Sequence, residues 1–186
     1  MSELRPWPLL DSRPIGNYRV FNLRSDLRRN PRTGEQHDFY VVEARPWVTV
    51  IALTPKRELI MVKQFRHGTG TLELETPAGI MEPEETDPVA AAVRELREET
   101  GYEGGSAQVI GRIYPNPPLF NNTCTTVFIA DCERKHALDL DAGEDISVHL
   151  IPADEIPGYI ARFEIRHALA VVAWYHHELW QRGVRP

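Results

Sequence analysis

The sequence predicts an α/β fold preceded by a small antiparallel β extension. Three observations carry that expectation. Residues 48–53 (VTVIAL) and 59–65 (LIMVKQF) are nearly continuous apolar runs, the pattern of buried strands. Residues 87–101 carry both the start and the stop signals of a helix. Residues 18–23 (YRVFNL) and 38–43 (DFYVVE), ahead of all this, are rich in β-formers.

In chain order, residues 1–16 are interrupted by Pro6, Pro8 and Pro14 and read as an irregular arm. The two β-rich segments then form a hairpin with a long loop, in which Asn30-Pro31 and Gly34 mark a turn. Arg24, Arg28, Arg29 and Arg32 make this region locally basic, as a solvated loop would be. A two-stranded hairpin cannot bury its own apolar face, so it must lie on the main body or on another chain. The domain boundary is placed between residues 1–46 and 47–186.

After the two apolar strands, residues 67–70 turn, and residues 71–76 (TLELET) alternate as a half-buried strand does. Residues 108–114 form a strand with Gly111 as a bulge, and residues 115–119 (PNPPL) a rigid loop. Residues 123–130 and 146–151 are further strands, joined by a polar connection. Residues 152–162 read as a short helix interrupted near Pro157. Residues 165–181 read as a longer helix with an apolar stripe at Ile165, Leu169, Val172, His176 and Leu179. His176 and His177 point about 100° apart on a helix and are read as structural or solvated rather than as metal ligands.

The helix at 87–101 is the informative element. Asp87 suits the N-cap, Pro88 the first turn, three alanines the interior and Gly101 the stop. Glu95, Glu98 and Glu99 then stand at i, i+3 and i+4, close to one face. Like charges at that spacing repel, and Arg94 and Arg97 interleave with them only partly. An ordinary charged surface helix is one account. The other is a hard divalent cation held by convergent carboxylates beside a Gly turn.

Gly79, Glu85 and the run Arg94-Glu95-Leu96-Arg97-Glu98-Glu99-Thr100-Gly101-Tyr102 resemble the box of the Nudix hydrolases. One feature departs from it: eight residues rather than seven separate Glu85 from Arg94. The order Gln64-Phe65-Arg66, Glu73, Glu75, Pro77-Ala78-Gly79 resembles the ADP-ribose pyrophosphatase branch. The resemblance spans roughly residues 48–181. It implies an α/β/α sandwich with a mixed sheet, and hydrolysis of the pyrophosphate bond in ADP-ribose or a related nucleoside diphosphate sugar. GDP-mannose is the alternative substrate, and a module that senses a nucleotide without hydrolysing it is the alternative function.

The resemblance also implies roles. Mg2+, or Mn2+ in its stead, is held by Glu95, Glu98, Glu99 and the backbone carbonyl of Ala78. Glu144 is the catalytic base, acting with Glu99. Arg66, Trp47, Glu75 and Pro117 contact substrate, with Arg66 on the phosphates, where a guanidinium fork suits phosphate oxygens. Arg94 holds a carboxylate in place. The N-terminal extension implies a homodimer.

Composition excludes other classes. Of 186 residues 42% are hydrophobic, too many for a disordered chain, and the net charge of -6 offers no basic footprint for nucleic acid. No apolar run approaches the ~20 residues of a membrane span. The first residues lack the basic-then-apolar pattern of a signal peptide, and Cys124 and Cys132 read as free thiols, so a cytoplasmic location is expected.

Overall fold

A computed structural model of the protein describes residues 4–186. The chain divides into two compact units. The first comprises residues 4–45 with 114–123, the second 46–113 with 124–186.

The first unit is a three-stranded antiparallel sheet, β1 (Leu9–Tyr18), β2 (Phe21–Arg29) and β3 (Gln36–Glu43), in that spatial order. The expected arm is therefore a strand from Leu9 onward. Its register shifts between Leu9 and Asp11 and again between Pro14 and Gly16, which lets an edge strand carry a proline. The hairpin expected to begin at Tyr18 instead turns there, and the long basic loop contracts to residues 30–35. Arg24 and Arg28 are not solvated loop residues. From β2 they both reach the buried carboxylate of Asp26, at 2.9 and 3.0 Å, and Ser12 donates to it at 2.8 Å. These donors, Arg24 foremost, pull the Asp26 pKa down to about 2. Residues 114–123 join this unit through β3: Val42 N–H donates to Leu119 O (2.8 Å) and Asn121 N–H to Val42 O (3.2 Å).

The second unit holds strands β4 (Trp47–Ala52), β5 (Glu58–Arg66), β6 (Thr71–Glu75), β7 (Ala78–Ile80), β8 (Tyr102–Glu103), β9 (Ala107–Ile113), β10 (Cys124–Ile129), β11 (Glu133–Arg134) and β12 (Ile146–Pro152). Its helices are α1 (Pro88–Thr100), α2 (Ile156–Ala161) and α3 (Ala168–Gln181). One sheet runs β7-β4-β10-β9 and is mixed, since β4 and β10 are parallel and the other pairs antiparallel. A second, antiparallel sheet runs β12-β5-β6.

Strand β4 is apolar at nearly every position because both of its faces are covered. Val48, Val50 and Ala52 join Ala91, Ala92 and Leu96 of α1 in one core. Ile51 and Leu53 join Ala170, Ala173 and Trp174 of α3 in the other. This makes the layered α/β/α arrangement. In β9 the register shift opposite Thr126 and Val127 accommodates Ile110, one residue before Gly111. A side chain at Gly111 would collide with the His176 ring, which pairs with Thr126 Oγ1 at 2.8 Å.

Two helical expectations need correction. Pro157 does not interrupt α2. It sits in the first turn, where its missing N–H is harmless. The buried face of α3 is Ala170, Ala173, Trp174 and His177 rather than the stripe of larger apolar residues. Alanines bring this helix close to the sheet, which leaves Leu169, Val172 and Leu179 half-covered. His177 is fully buried against Phe128 and Trp174 and bonds Gln181, as a structural histidine does. Cys124 and Cys132 are free and buried, and burial raises both thiol pKa values to about 12.

Candidate active site

Helix α1 supplies the carboxylates. The Asp87 side chain accepts from Val89 N–H at 2.9 Å, and Gly101 closes the helix at φ 74° while its N–H bonds Arg97 O. The residue in excess of the Nudix spacing falls between Glu85 and Arg94, in the stretch that holds the Asp87 cap. Glu85 still reaches Arg94, at 2.8 and 3.1 Å, and also caps Glu82 N–H at 2.7 Å.

Arg94 is the hub of the helix. Besides Glu85 it bonds Glu95 at 2.9 Å and Glu98 at 2.7 Å. The expectation that Arg94 fixes a carboxylate thus becomes three carboxylates on one guanidinium, whose pKa they raise, Glu85 foremost. Glu98 consequently faces Arg94. Among the described residues no three His, Cys, Asp or Glu side chains form a ready metal cluster.

Glu95 and Glu99 are a different case. Both are buried, and Glu99 Oε2 accepts from Ala78 N–H at 3.1 Å. So it is the amide of Ala78 that touches a site carboxylate. The Glu95 carboxylate lies against Gly79, where a Cβ would overlap it. Desolvation, opposed in part by Arg94, raises the Glu95 pKa to about 7. Desolvation and the neighbouring Glu95 raise Glu99 to about 8. Two buried carboxylates that repel each other, cradled by a glycine, fit a hard divalent cation, which would relieve both costs at once.

Between the ordinary carboxylate range and about pH 8 the folded chain therefore holds protons that the unfolded chain has released. Stability falls as pH rises through that window. Half-buried His176 and buried His177, whose pKa values burial lowers, act in the opposite sense below about pH 6.5. We therefore expect the melting temperature in EDTA to fall more steeply for wild type than for Glu99→Gln between about pH 7 and about pH 8.5. Parallel curves by differential scanning calorimetry would remove the buried-charge account.

A cavity of about 860 Å³ opens in front of β7, lined by Trp47, Ala78, Gly79 and Arg66 among others. Arg66 is held by buried Glu75 through two bonds, Nε at 2.7 Å and Nη2 at 2.8 Å. Nη1 is the donor that Glu75 does not use. The raised pKa of Arg66 comes first from Glu75, with Glu99 and Glu144 also contributing. Glu144 lies on an exposed loop and folds its carboxylate onto Asp141 N–H at 3.0 Å, yet it acts electrostatically on Glu95, Glu99 and Arg66 alike. Pro117 belongs to the first unit, in an exposed turn closed by Leu119 and Phe120 N–H on Asn116 O.

The sequence reading missed Arg166 and His167, which line the same cavity from the segment before α3. Arg166 grips Glu73 at 2.6 and 3.2 Å, and His167 comes within 3.8 Å of Glu75. Nothing near Arg166 in sequence signals this, because its partner lies 93 positions away.

Residues 43–172 match the NUDIX domain. The chain is 30% identical over 156 residues to an ADP-ribose pyrophosphatase of Mycobacterium tuberculosis, covering 82% of this chain and 73% of that protein. It is 29% identical over 181 residues to the methanol dehydrogenase activator of Bacillus methanolicus, covering 96% of each. A crystal structure of an ADP compounds hydrolase shares the fold, with a TM-score of 0.85 over 98% of both chains at 20% identity. The chain belongs to the NUDIX family of hydrolases, in the branch that contains the ADP-ribose pyrophosphatases.

Proposed function

We propose that this protein is a Mg2+-dependent pyrophosphatase of ADP-ribose, releasing AMP and ribose 5-phosphate. The coarser activity, hydrolysis of nucleoside diphosphate derivatives, follows from its family. One observation carries the finer reading. The buried pair Glu95 and Glu99 stands directly behind β7, whose Ala78 and Gly79 line the cavity that also holds Arg66. Carboxylates suited to a cation and a guanidinium suited to a phosphate thus stand at one wall.

The cation would be held by Glu95 and Glu99, with Glu98 joining if it turns from Arg94. When bound it neutralises the diphosphate and acidifies the attacking water. The residues of the chain do the rest. Arg66, oriented by Glu75, offers Nη1 to a phosphate oxygen. Glu144 leaves Asp141 and takes a proton from the water. Water oxygen bonds to one phosphorus, the bridging P–O bond breaks, and the bridging oxygen leaves on the other phosphate. Trp47 offers its ring to the base and Pro117 shapes the substrate loop. The three-stranded sheet of the first unit pairs with a second copy as a homodimer, and the protein works in the cytoplasm.

Product analysis by mass spectrometry tests the reaction, with ADP-ribose and GDP-mannose in parallel, with Mg2+ and with EDTA. Mg2+-dependent AMP and ribose 5-phosphate are expected. GMP and mannose 1-phosphate in excess would replace the substrate, and intact substrates in every tube would reject the hydrolase. Gly79→Ala tests the cradle. It should weaken Mn2+ binding about 10-fold or more, read by electron paramagnetic resonance, with the circular dichroism spectrum unchanged. Unaltered Mn2+ affinity would separate Gly79 from the cation.

A further inference from the structure

The cavity wall made by β6 and the segment before α3 has a design that diphosphate binding does not require. Glu73 and Glu75 are two residues apart on β6, so both point to the same side of the strand. Both are buried, and each grips one arginine of the cavity by two hydrogen bonds: Glu75 takes Arg66, Glu73 takes Arg166. Arg66 lies within the field of the Glu99 and Glu144 carboxylates, on the side of the cavity where Ala78 and Gly79 stand. Arg166 shares its part of the wall with Thr69, Thr71 and His167.

Each Arg–Glu pair is neutral in sum. This wall therefore has no surplus of positive charge from its arginines to draw a further phosphate. What it has is donors beside acceptors. Arg166 uses Nε and Nη2 on Glu73 and keeps Nη1 outside that clamp. Among the described residues Glu73 Oε1 accepts from Thr71 and Arg166, whereas Oε2 accepts only from Arg166 Nε, at 3.2 Å. A carboxylate oxygen with one long bond has a lone pair to spare. Arg66 would meet its phosphate oxygen beside the cation that Glu95 and Glu99 would hold, which offsets the Glu75 charge. Arg166 shares its part of the wall with Thr69, Thr71 and His167 and no such carboxylate pair, so a phosphate oxygen there would be repelled by Glu73. A hydroxyl both donates and accepts, and two adjacent hydroxyls match a guanidinium and a carboxylate standing side by side.

We propose that Arg166, aligned by Glu73, binds adjacent hydroxyls of the sugar carried on the substrate's diphosphate. This rests on the hydrolase reading and adds what the cavity recognises beyond the diphosphate. Arg166 is the binding residue and Glu73 the positioning residue.

The test measures binding rather than turnover, by titration calorimetry with Mg2+ present. Two nonhydrolysable ligands are compared: methylene-bridged ADP-ribose, and the methyl ester of methylene-bridged ADP, which keeps the adenosine ribose but lacks the terminal sugar and its hydroxyls. Arg166→Ala should weaken the first about 10- to 100-fold and the second less than about twofold. Arg166→Lys, which keeps the charge and loses the fork, should not restore the sugar ligand. Glu73→Gln should weaken the sugar ligand and spare the methyl ester, with an unchanged melting temperature confirming that its fold persists. Equal losses for both ligands, rescue by lysine, no loss for either, or a wild type that binds neither would each overturn the proposal. Wild-type turnover of ADP-ribose is followed alongside. Turnover with equal losses leaves the hydrolase intact and removes the hydroxyl reading. Hydroxyl-selective binding without turnover does the reverse.

Discussion

Glu99→Gln is expected to lower cation-dependent turnover about 1000-fold or more while raising the melting temperature in EDTA. The two halves of that result come from one fact. Glu99 is almost fully buried, its pKa is raised to about 8, and Ala78 N–H is its hydrogen-bond partner. Glutamine keeps a carbonyl for that amide and occupies nearly the same volume, so the local fold has no reason to change. It removes a group that must either take up a proton on folding or carry a buried charge beside Glu95, and this stabilises the protein when no cation is supplied. It also removes a hard oxygen anion, which the cation needs. Turnover within about tenfold of wild type would show that Glu99 does not hold the cation. Loss of turnover together with a lower melting temperature would show a structural role instead.

Arg94→Ala should have the largest effect on stability, about 2–4 kcal/mol in EDTA near pH 7. The guanidinium is partly buried and bonds Glu85, Glu95 and Glu98 together. Removing it leaves three carboxylates around an empty centre, two of them on one helix turn. The deficit should shrink with added Mg2+, which replaces part of the missing charge, and at lower pH, where the carboxylates protonate. Urea denaturation with EDTA, with Mg2+ and near pH 5 measures all three. A cost under about 0.5 kcal/mol, unchanged by pH, would place Arg94 on an ordinary solvated face.

How much of this was legible in the sequence depended on how local each signal was. The bounds of α1 were legible because its cap, first-turn proline and glycine stop lie within the segment they delimit. The apolar runs of β4 and β5 were legible because double coverage leaves no polar alternation. β1 was not, since an edge strand exposed at every residue but Gly16 has no face to pattern and tolerates proline at a register shift. The packing stripe of α3 was misjudged because alanine is a weak hydrophobic signal and a strong packing one. In the candidate site, the shared face of Glu95, Glu98 and Glu99 was readable from their spacing, and Arg66 was named only through the family resemblance. Arg166 was not readable at all, since its clamp closes across most of the second unit's sequence.

The aspartate cap of α1 has a consequence for how such chains are compared. Every residue of the site on this helix is indexed from Asp87, whose side chain fixes where the first turn begins. The loop ahead of it can gain a residue without rotating Glu95, Glu98 or Glu99, and Glu85 retains its bonds to Arg94 from there. The cap works as a clutch that disengages loop length from helix phase. A pattern that counts fixed gaps forward from Gly79 will therefore overlook relatives that a pattern counted from the cap would retain. Insertions between residues 82 and 87 are the places where such relatives should differ most.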